Sequence, residues 1–554
     1  MSTPLQIGLP HRGNAGRIQL TASKVAGSGQ SCPAHLALEA YPNVWPDIPG
    51  WRPEPEPHPI IAFAVMNAIE EVQWGKSVAA ALNEVLSRTR PEQQPMHPGV
   101  EVFVRAGVAR YIEWVESRRL ELGSLTWIPR REMSRDDRTL TCWAVNHDAP
   151  DGIRELHRLR HGRVRGTSEA DQLFAIVAGR LAVDGHPKDA APTEPQPLGV
   201  RIIEFSLGDG GHRVVYEKSA EQVRADYASR VSPTIPHILN GSELRPGWDC
   251  ARCNWVSACP AVPQVAGLLG QPSYGGKTRS VSASDLDRYA ICPSLYFLRN
   301  VSYLPGEVGH GSAQSRGIAV HRWLAAAHSR PGHPGCTPSD LDERLGGLTE
   351  DEHRAALPFL RQHREQGCPL GFGDTNNVRV EPRISVFDSH ANVVVAATPD
   401  LTFTAGSRYV WRETKTTSRA LPADAVEAMQ SFLSCALDLL LLHDQVPEGG
   451  DDALIRMEGV VELEVLRAED SAVYLLDTAD EQLVSLARHI VASAALAWHR
   501  DAAFAATPGQ QCTWCVVREW CPSRNAATEG QDAQREVDDA MASRVPAFPS
   551  RSDP

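Results

Sequence analysis

The pattern of apolar positions in the C-terminal half of the chain predicts two strands joined by a tight turn. Residues 392–397 are rich in valine and alanine and predict a strand that leads into residues 398–403. Residues 405–408 contain a glycine and predict a turn, and residues 409–415 predict the strand that follows it. The richest apolar run, residues 436–443, is far shorter than the ~18 residues that a membrane span needs and predicts a buried helix. These patterns indicate a mixed α/β protein without a membrane partner.

Two carboxylates and an amine are expected to meet in this hairpin. Side chains alternate between the two faces of a strand, so Glu413 and Lys415 should share one face. Asp400 precedes the turn and should lie beside them on the partner strand. Two carboxylates, together with the backbone carbonyl of Thr414, can hold Mg²⁺ or Mn²⁺ through oxygen ligands. Such a set fits phosphodiester hydrolysis, with the lysine orienting water or stabilising charge. The alternative is a surface hairpin that carries ordinary charged residues.

The sequence also contains an internal repeat. A Cys-Pro pair opens each half of the chain, at Cys32 and at Cys292, and a triplet spaced C-x2-C-x5-C closes each half at almost the same distance from the pair. A constant shift of 258 residues places Glu413 on Glu155. These matches indicate a duplication. The triplets are Cys250, Cys253 and Cys259, and Cys512, Cys515 and Cys521.

The repeat predicts two tandem domains. The first is expected at residues 17–262 after a lead-in of residues 1–16, and the second at residues 280–525. Glycine and proline are frequent in residues 263–279, which predicts a linker. Residues 526–554 are polar and charged and predict a disordered tail.

The cysteines predict metal ligation in both domains. Four thiolates suit either tetrahedral Zn²⁺ or an iron–sulfur cluster, and the spacing does not separate these alternatives. No signal peptide is visible at the N-terminus, so a cytoplasmic location is expected, where disulfides are rare. Bonds between the beginning and the end of each domain would close a long loop and restrict the unfolded chain. We call Cys32, Cys250, Cys253 and Cys259 the first cysteine set, and Cys292, Cys512, Cys515 and Cys521 the second cysteine set.

Composition and charge limit the classes of function. The chain of 554 residues is 42% hydrophobic and 22% charged, which is typical of a globular protein. Its net charge of −13 argues against indiscriminate coating of nucleic acid. Residues 130–165 are nevertheless rich in arginine, and this stretch is either a phosphate-binding face or an ordinary solvated surface.

The motifs of the second domain resemble those of the RecB-like branch of the PD-(D/E)XK nuclease superfamily, which includes the AddB and Cas4 nucleases. The resemblance covers about residues 282–521 and implies a restriction-endonuclease-like fold, with a mixed central sheet flanked by helices, in each of the two tandem domains. It implies a further metal ligand at His321, on an early helix, and an active-site glutamine at Gln430. The family usually has a tyrosine four residues after this glutamine, where this chain has Ser434.

The resemblance also implies substrate, cofactors and partners. It favours a [4Fe–4S] cluster over zinc in the second cysteine set, with the first set as a candidate second cluster. It implies metal-dependent, exonucleolytic hydrolysis of DNA single strands or ends, in repair, recombination or defence, and a separate helicase or other protein as partner. Two rival interpretations are a catalytically inactive nucleic-acid-binding or adaptor protein, and a zinc-stapled protein without phosphodiester chemistry.

The shift of 258 residues predicts that the first domain is inactive. It places Cys142 at the position of Asp400, His157 at Lys415 and Phe63 at His321. Glu155 and Gln172 retain the types found at Glu413 and Gln430. One remaining carboxylate would hold a hydrolytic metal poorly, whereas all four cysteines of the first set are kept.

Overall fold

The computed structural model of the protein has two halves, the N-terminal half (residues 17–262) and the C-terminal half (residues 278–524). The predicted lead-in, residues 1–16, and the predicted tail, residues 526–554, lie outside the described residues. The structure describes residues 17–29, 31–41, 59–88, 96–135, 137–164, 166, 168–187, 196–273, 278–306, 312–330, 338–367, 375–444 and 458–524.

The N-terminal half alternates helices and short strands. Its helices are α1 (Ala22–Gly27), α2 (Pro33–Glu39), α3 (Pro59–Gln73), α4 (Val78–Arg88), α5 (Pro98–Leu122), α6 (Glu169–Asp184), α7 (Ala220–Asp226) and α8 (Thr234–Leu239). Its strands are β1 (Ile18–Thr21), β2 (Thr126–Ile128), β3 (Arg131–Arg135), β4 (Arg138–Thr141), β5 (Val145–Asp148), β6 (Ile153–Arg160), β7 (His186–Pro187), β8 (Gly199–Ser206) and β9 (His212–Ser219).

The C-terminal half has a similar mixture of elements. Its helices are α9 (Ala283–Ile291), α10 (Pro293–Tyr296), α11 (Ser312–His328), α12 (Glu350–Gln362), α13 (Ala425–Ser431), α14 (Leu433–His443) and α15 (Glu481–Arg500). Its strands are β10 (Arg279–Val281), β11 (Thr375–Val380), β12 (Ile384–Asp388), β13 (Val393–Ala397), β14 (Leu401–Ala405), β15 (Arg408–Thr416), β16 (Glu458–Leu466) and β17 (Ser471–Asp477).

Each half is built on a five-stranded mixed sheet with the same topology. The strand orders are β2-β5-β6-β8-β9 and β11-β14-β15-β16-β17. In both sheets the first and second strands are antiparallel to each other, and so are the second and third. The third and fourth strands are parallel, and the fourth and fifth are antiparallel. The parallel pair is connected through α6 in one sheet and through α13 and α14 in the other, because parallel neighbours need a crossover. The mixed α/β fold predicted from the sequence is therefore confirmed.

The Cys-Pro pairs begin corresponding short helices. Pro33 is the first residue of α2 and Pro293 is the first residue of α10. Proline is favoured at this position because its fixed φ suits a helix and the missing N–H has no partner there in any case. The cysteine before each proline is extended and stands outside the helix.

The two halves interlock through their cysteine segments. Cys250 and Val256 of the N-terminal half form a small core with Phe387 and Val394, which belong to β12 and β13 of the C-terminal half. In return, Val517 and Trp520 of the C-terminal half join the core around α3, α4 and α5. The rings of Phe103 and Trp520 meet edge to face with centroids 5.0 Å apart. Each half therefore supports the other by apolar burial.

The predicted linker is bound to the C-terminal half where it is described. The amide of Val265 donates to the carbonyl of Phe387 at 3.0 Å, and the amide of Leu269 donates to Oδ2 of Asp388 at 2.8 Å. Leu268 and Leu269 are buried in the main core of that half. Residues 263–273 are therefore part of a packed structure and not a free spacer.

No single helix in the described part of the chain is long and apolar enough to cross a membrane. One pair, Ala425–Ser431 with Leu433–His443, has the required length and composition together, across a bend of 108°.

Candidate active site and cysteine sites

The register of the β14–β15 hairpin brings the predicted acidic residues together. Leu401 pairs with Arg412, so the next residues outward, Asp400 and Glu413, are neighbours on adjacent strands. Oδ2 of Asp400 accepts a hydrogen bond of 2.7 Å from the amide of Thr414. The turn at Gly406, where φ is 59°, and the pairing of β14 with β15 confirm a hairpin here. The predicted continuous strand through residues 392–403 is wrong, because residues 393–397 form β13, which pairs with β10 and β12 in a separate sheet.

A lysine and a histidine complete the group. Nζ of Lys415 donates to Oε2 of Glu413 at 2.5 Å, as expected for side chains on one face of a strand. Nδ1 of His321, on α11, is hydrogen-bonded to Oδ1 of Asp400 at 2.8 Å. The fold therefore unites His321, Asp400, Glu413 and Lys415 across 94 positions of sequence. We call these four residues the acidic site.

Electrostatics couple the members of the acidic site. Burial acts to raise the pKa of Asp400, but the charges of His321 and Lys415 together hold it below its usual range. Burial raises the pKa of Glu413, and the charge of Asp400 adds to this against the opposing charge of Lys415. Burial acts to lower the pKa of His321, but Asp400 raises it above its usual value. With both carboxylates ionised and His321 neutral, Lys415 leaves one negative charge at the acidic site that a cation would neutralise.

The other two residues implied by the resemblance behave differently. Thr414 is buried, and its side chain points to the opposite face of the sheet, where Oγ1 donates to Oε2 of Glu464 at 3.0 Å. Gln430 is exposed on α13, and within the described part of the chain it makes no hydrogen bond to the acidic site. The amide of Thr414 therefore lies beside Asp400, whereas its side chain faces away from the acidic site.

A further carboxyl group lies next to the site. Asp438, on α14, is only 2% exposed, and its Oδ2 has no hydrogen-bond partner. Burial raises the pKa of Asp438 well above its usual value, and the neighbouring charge of Glu413 adds to this effect. Sequence analysis missed Asp438 because it lies inside the apolar run that predicted a buried helix. A single carboxylate within such a run was the available signal.

The corresponding position of the N-terminal half has no open carboxylate. Glu155 is fully buried, and its two oxygens accept hydrogen bonds of 2.9 and 2.6 Å from Arg118 and one of 2.7 Å from Arg201. His157 lies 3.3 Å from the same carboxylate. Burial acts to raise the pKa of Glu155, but these three side chains hold it far below its usual range. Two guanidinium groups thus occupy the carboxylate that a metal would need.

The prediction that Cys142 and Phe63 replace Asp400 and His321 in this half was wrong. The strand register places His147 opposite Glu155, just as Asp400 lies beside Glu413, so His147 and not Cys142 is the counterpart of Asp400. The rings of His147 and His157 stack with centroids 4.7 Å apart. The helix whose side chains reach this region is α5. Phe63 lies on α3, and its side chain is 43% exposed.

The arginine-rich stretch is largely neutralised within the protein. Arg158 bonds to Asp171 at 2.9 Å and to Glu204 at 2.8 Å, and Arg160 approaches the same two carboxylates at 3.3 and 3.5 Å. Arg154 is 1% exposed and makes a bidentate contact with Asp148. These three arginines therefore do not form a free phosphate-binding face.

The second cysteine set lines one cavity. All four of its cysteines, Cys292, Cys512, Cys515 and Cys521, border this cavity and are free of disulfides. The amide of Thr507 points to Sγ of Cys292 at 3.5 Å. Burial raises the pKa of Cys521, and the charges of Cys292 and Cys512 add to this effect.

The first cysteine set is arranged in a similar way. Burial raises the pKa of Cys253 to about 12, and the other three thiols of the set act in the same direction, so all four are neighbours. The amide of Gly247 donates to Sγ of Cys250 at 3.3 Å, and the amide of Arg245 donates to Sγ of Cys32 at 3.4 Å. Amide groups directed at sulfur are a common feature of thiolate-bound centres.

Neither the acidic site nor the cysteine sets form a closed set of ligands around one ion. Among the described residues, no group of three or more His, Cys, Asp or Glu side chains is arranged to hold a metal ion. In the acidic site this agrees with the hydrogen bonds of Asp400, because His321 and Thr414 occupy its two oxygens. A bound cation would have to replace the contact between His321 and Asp400.

Residues 280–522 match the family model of the PD-(D/E)XK nuclease superfamily, so the C-terminal half contains a domain of this superfamily. This confirms the predicted resemblance at the superfamily level, with nearly the predicted bounds. No curated protein matches the chain. The crystal structure of SSO0001 is similar at 12% identity over 45% of this chain and 89% of that chain, with a TM-score of 0.21, which is too low to support an argument.

Proposed function

We propose that the C-terminal half is a metal-dependent deoxyribonuclease whose active site is the acidic site. The observation that carries this proposal is the convergence of His321, Asp400, Glu413 and Lys415 within a domain of a nuclease superfamily. Exonucleolytic action on single strands or ends, and a role in repair, recombination or defence with a helicase or other protein, extend the proposal by resemblance. A cytoplasmic location belongs to the same proposal.

The residues divide the chemistry between them. Asp400, Glu413 and His321 would hold Mg²⁺ or Mn²⁺, with the backbone carbonyl of Thr414 as an additional oxygen ligand. When bound, such an ion lowers the pKa of a water molecule and neutralises charge on the scissile phosphate. The pKa of Lys415 is raised well above its usual value, because the charges of the two carboxylates outweigh the effect of burial. Lys415 therefore stays a cation. It can therefore orient the attacking water and stabilise the negative charge on the phosphoryl oxygens in the transition state.

A cleavage assay with matched variants tests the nuclease proposal. Labelled linear, circular and single-stranded DNA, and single-stranded RNA, are incubated with Mg²⁺ or Mn²⁺. We expect Asp400→Ala and Lys415→Ala to lose activity by about 100-fold or more, as for removal of one stabilising group or metal ligand. Glu469→Gln, an exposed carboxylate outside the site, is the control. Equal activity in all four proteins would exclude the acidic site, and RNA cleavage alone would overturn the choice of DNA.

We also propose that each cysteine set binds a [4Fe–4S] cluster. Four neighbouring, disulfide-free thiols with inward amides support a thiolate centre in each half. Four thiolates also suit tetrahedral zinc, and the choice of the cluster rests on the resemblance to the AddB and Cas4 nucleases. Iron and sulfide measured after anaerobic purification, with a brown colour, would support the clusters. A colourless protein with stoichiometric zinc would overturn them.

The N-terminal half is proposed to be an inactive duplicate of the nuclease domain. The shared sheet topology and the paired cysteine sets support the duplication. The inactivity is supported by the two arginines that saturate Glu155 and by histidines at the positions of Asp400 and Lys415.

A further inference from the structure

A buried polar network lies behind the strand that carries the acidic site. Thr414 stands between Glu413 and Lys415, so its side chain points to the opposite face of the sheet. There, Oγ1 of Thr414 donates to Oε2 of Glu464, which is the partner of Thr414 on the parallel strand β16. Glu464 is 0% exposed, so its charge is far from solvent.

A histidine from the helical layer completes the network. His363 follows α12 directly and is fully buried. Its Nδ1 lies 2.8 Å from both carboxylate oxygens of Glu464. Glu464 is therefore fixed from one side by His363 and bonds on the other side to Thr414.

Thr414 connects this network to the acidic site. Its amide donates to Oδ2 of Asp400 at 2.7 Å, and its hydroxyl donates to Glu464 at 3.0 Å. A rotation or displacement of the peptide at Thr414 would change both contacts together. The peptide whose amide positions Asp400 is thus fixed by a side chain that reaches the opposite face.

The N-terminal half shows that the fold does not need these polar groups. With Glu155 in the place of Glu413, the residue corresponding to Thr414 is Leu156, and its partner on the parallel strand is Ile202. Both are buried and belong to one apolar core. Replacing a buried ion pair by packed apolar side chains is often neutral or stabilising. The buried polar network thus occurs in the C-terminal half, which has the acidic site. In the N-terminal half, apolar side chains occupy the corresponding strand pair.

We propose that Glu464 and His363 are positioning residues of the nuclease site, which act through Thr414 to hold Asp400 for metal binding. This inference rests on the proposed nuclease function. Neither side chain touches the acidic site directly, so their effect is on the geometry and affinity of the metal site and not on the chemical step itself.

Substitutions at Thr414 separate positioning from folding. Thr414→Val keeps the shape but removes the hydroxyl, and Thr414→Ser keeps the hydroxyl, while Glu464→Gln removes the charge of the anchor. Glu458→Gln is the matched control, because Glu458 lies on the same strand β16, is 68% exposed and only approaches Arg408 at 3.9 Å. Mn²⁺ affinity is measured by calorimetry without DNA, and cleavage rates are measured against Mg²⁺ concentration in proteins whose folding is verified by circular dichroism.

We expect Thr414→Val and Glu464→Gln to weaken Mn²⁺ binding and to raise the Mg²⁺ requirement by about 10-fold, the usual scale for groups that orient metal ligands. Thr414→Ser and Glu458→Gln should remain close to wild type. If Glu464→Gln does not fold, the valine and serine variants decide alone. Wild-type metal affinity in Thr414→Val, or an equal loss in Glu458→Gln, would overturn the inference. A wild-type protein that neither binds Mn²⁺ nor cleaves DNA would instead overturn the nuclease function on which the inference rests.

Discussion

The arginine contacts of Glu155 make the N-terminal half sensitive to one substitution, Arg118→Ala. Arg118 lies on α5 and binds both carboxylate oxygens of Glu155 on β6. The substitution leaves Arg201 as the remaining guanidinium partner of a fully buried carboxylate. It also removes a connection between the helical layer and the sheet.

The expected loss follows from the bonds removed. Each charge-assisted hydrogen bond contributes about 1.5–3 kcal/mol, and breaking a buried ion pair costs about 3–5 kcal/mol. Arg118 is 19% exposed, so solvent screens it only slightly. Since Arg201 still binds Glu155, we expect the free energy of unfolding to fall by about 3 kcal/mol, at the lower end of that range.

The pH dependence has a definite sign. Because the folded protein holds the pKa of Glu155 far below its ordinary value of 4.5, the ionised carboxylate stabilises the fold at pH values above 4.5. This contribution is lost progressively as the pH falls below 4.5. Arg118→Ala should therefore differ most from wild type at neutral pH, and the difference should shrink in acid.

Urea denaturation at several pH values measures both effects. The control is Arg119→Ala on the same helix, because Arg119 is 57% exposed and only approaches Glu116 at 3.4 Å. We expect the control to unfold like wild type. Unchanged stability of Arg118→Ala at neutral pH would refute the role assigned to the Arg118–Glu155 pair. Cleavage at temperatures where the variant is folded should remain near wild type, because these residues lie outside the acidic site.

Two further predictions concern the cysteine sets and His321. Cys512→Ser should lower the iron content. It should also increase hydrogen exchange in α5 of the N-terminal half, because Val517 and Trp520 pack against that helix. Unchanged exchange in α5 would contradict the packing between the two halves. A metal-ligating histidine must be neutral, and Asp400 raises the pKa of His321 against the effect of burial. The Mg²⁺ concentration for half-maximal cleavage should therefore fall as the pH rises through and above the ordinary value of 6.5, and a requirement independent of pH would argue against His321 as a ligand.

Much of the local structure of the acidic site could be predicted from the sequence. The glycine turn and two-residue alternation indicated the hairpin, and the alternation alone placed Glu413 and Lys415 on one face. The valine-rich residues 393–397 belong instead to a separate sheet. The cysteine spacing indicated four neighbouring thiols in each half, because spacing within a triplet is a local property. The position of His321 came from resemblance and not from any local pattern.

The constant shift between the halves failed where the hairpins differ in length. Glu155 and its neighbour His147 are closer in sequence than Glu413 and Asp400, because β14 and β15 form a longer hairpin than β5 and β6. A single shift assumes hairpins of equal length and therefore selected Cys142. The strand register, which depends on hydrogen bonding across the sheet, identified the correct counterpart.

The sequence alone therefore determined the elements, their alternation and the chemical types present at the acidic site and in the cysteine sets. Tertiary structure decided which charges are available and which are neutralised. Arg118 and Arg201 reach Glu155 from distant segments, and Glu464 and His363 reach Thr414 from β16 and from the end of α12. Such contacts depend on how helices pack on sheets and on the register between strands far apart in the chain, and neither is a property of any short stretch of sequence.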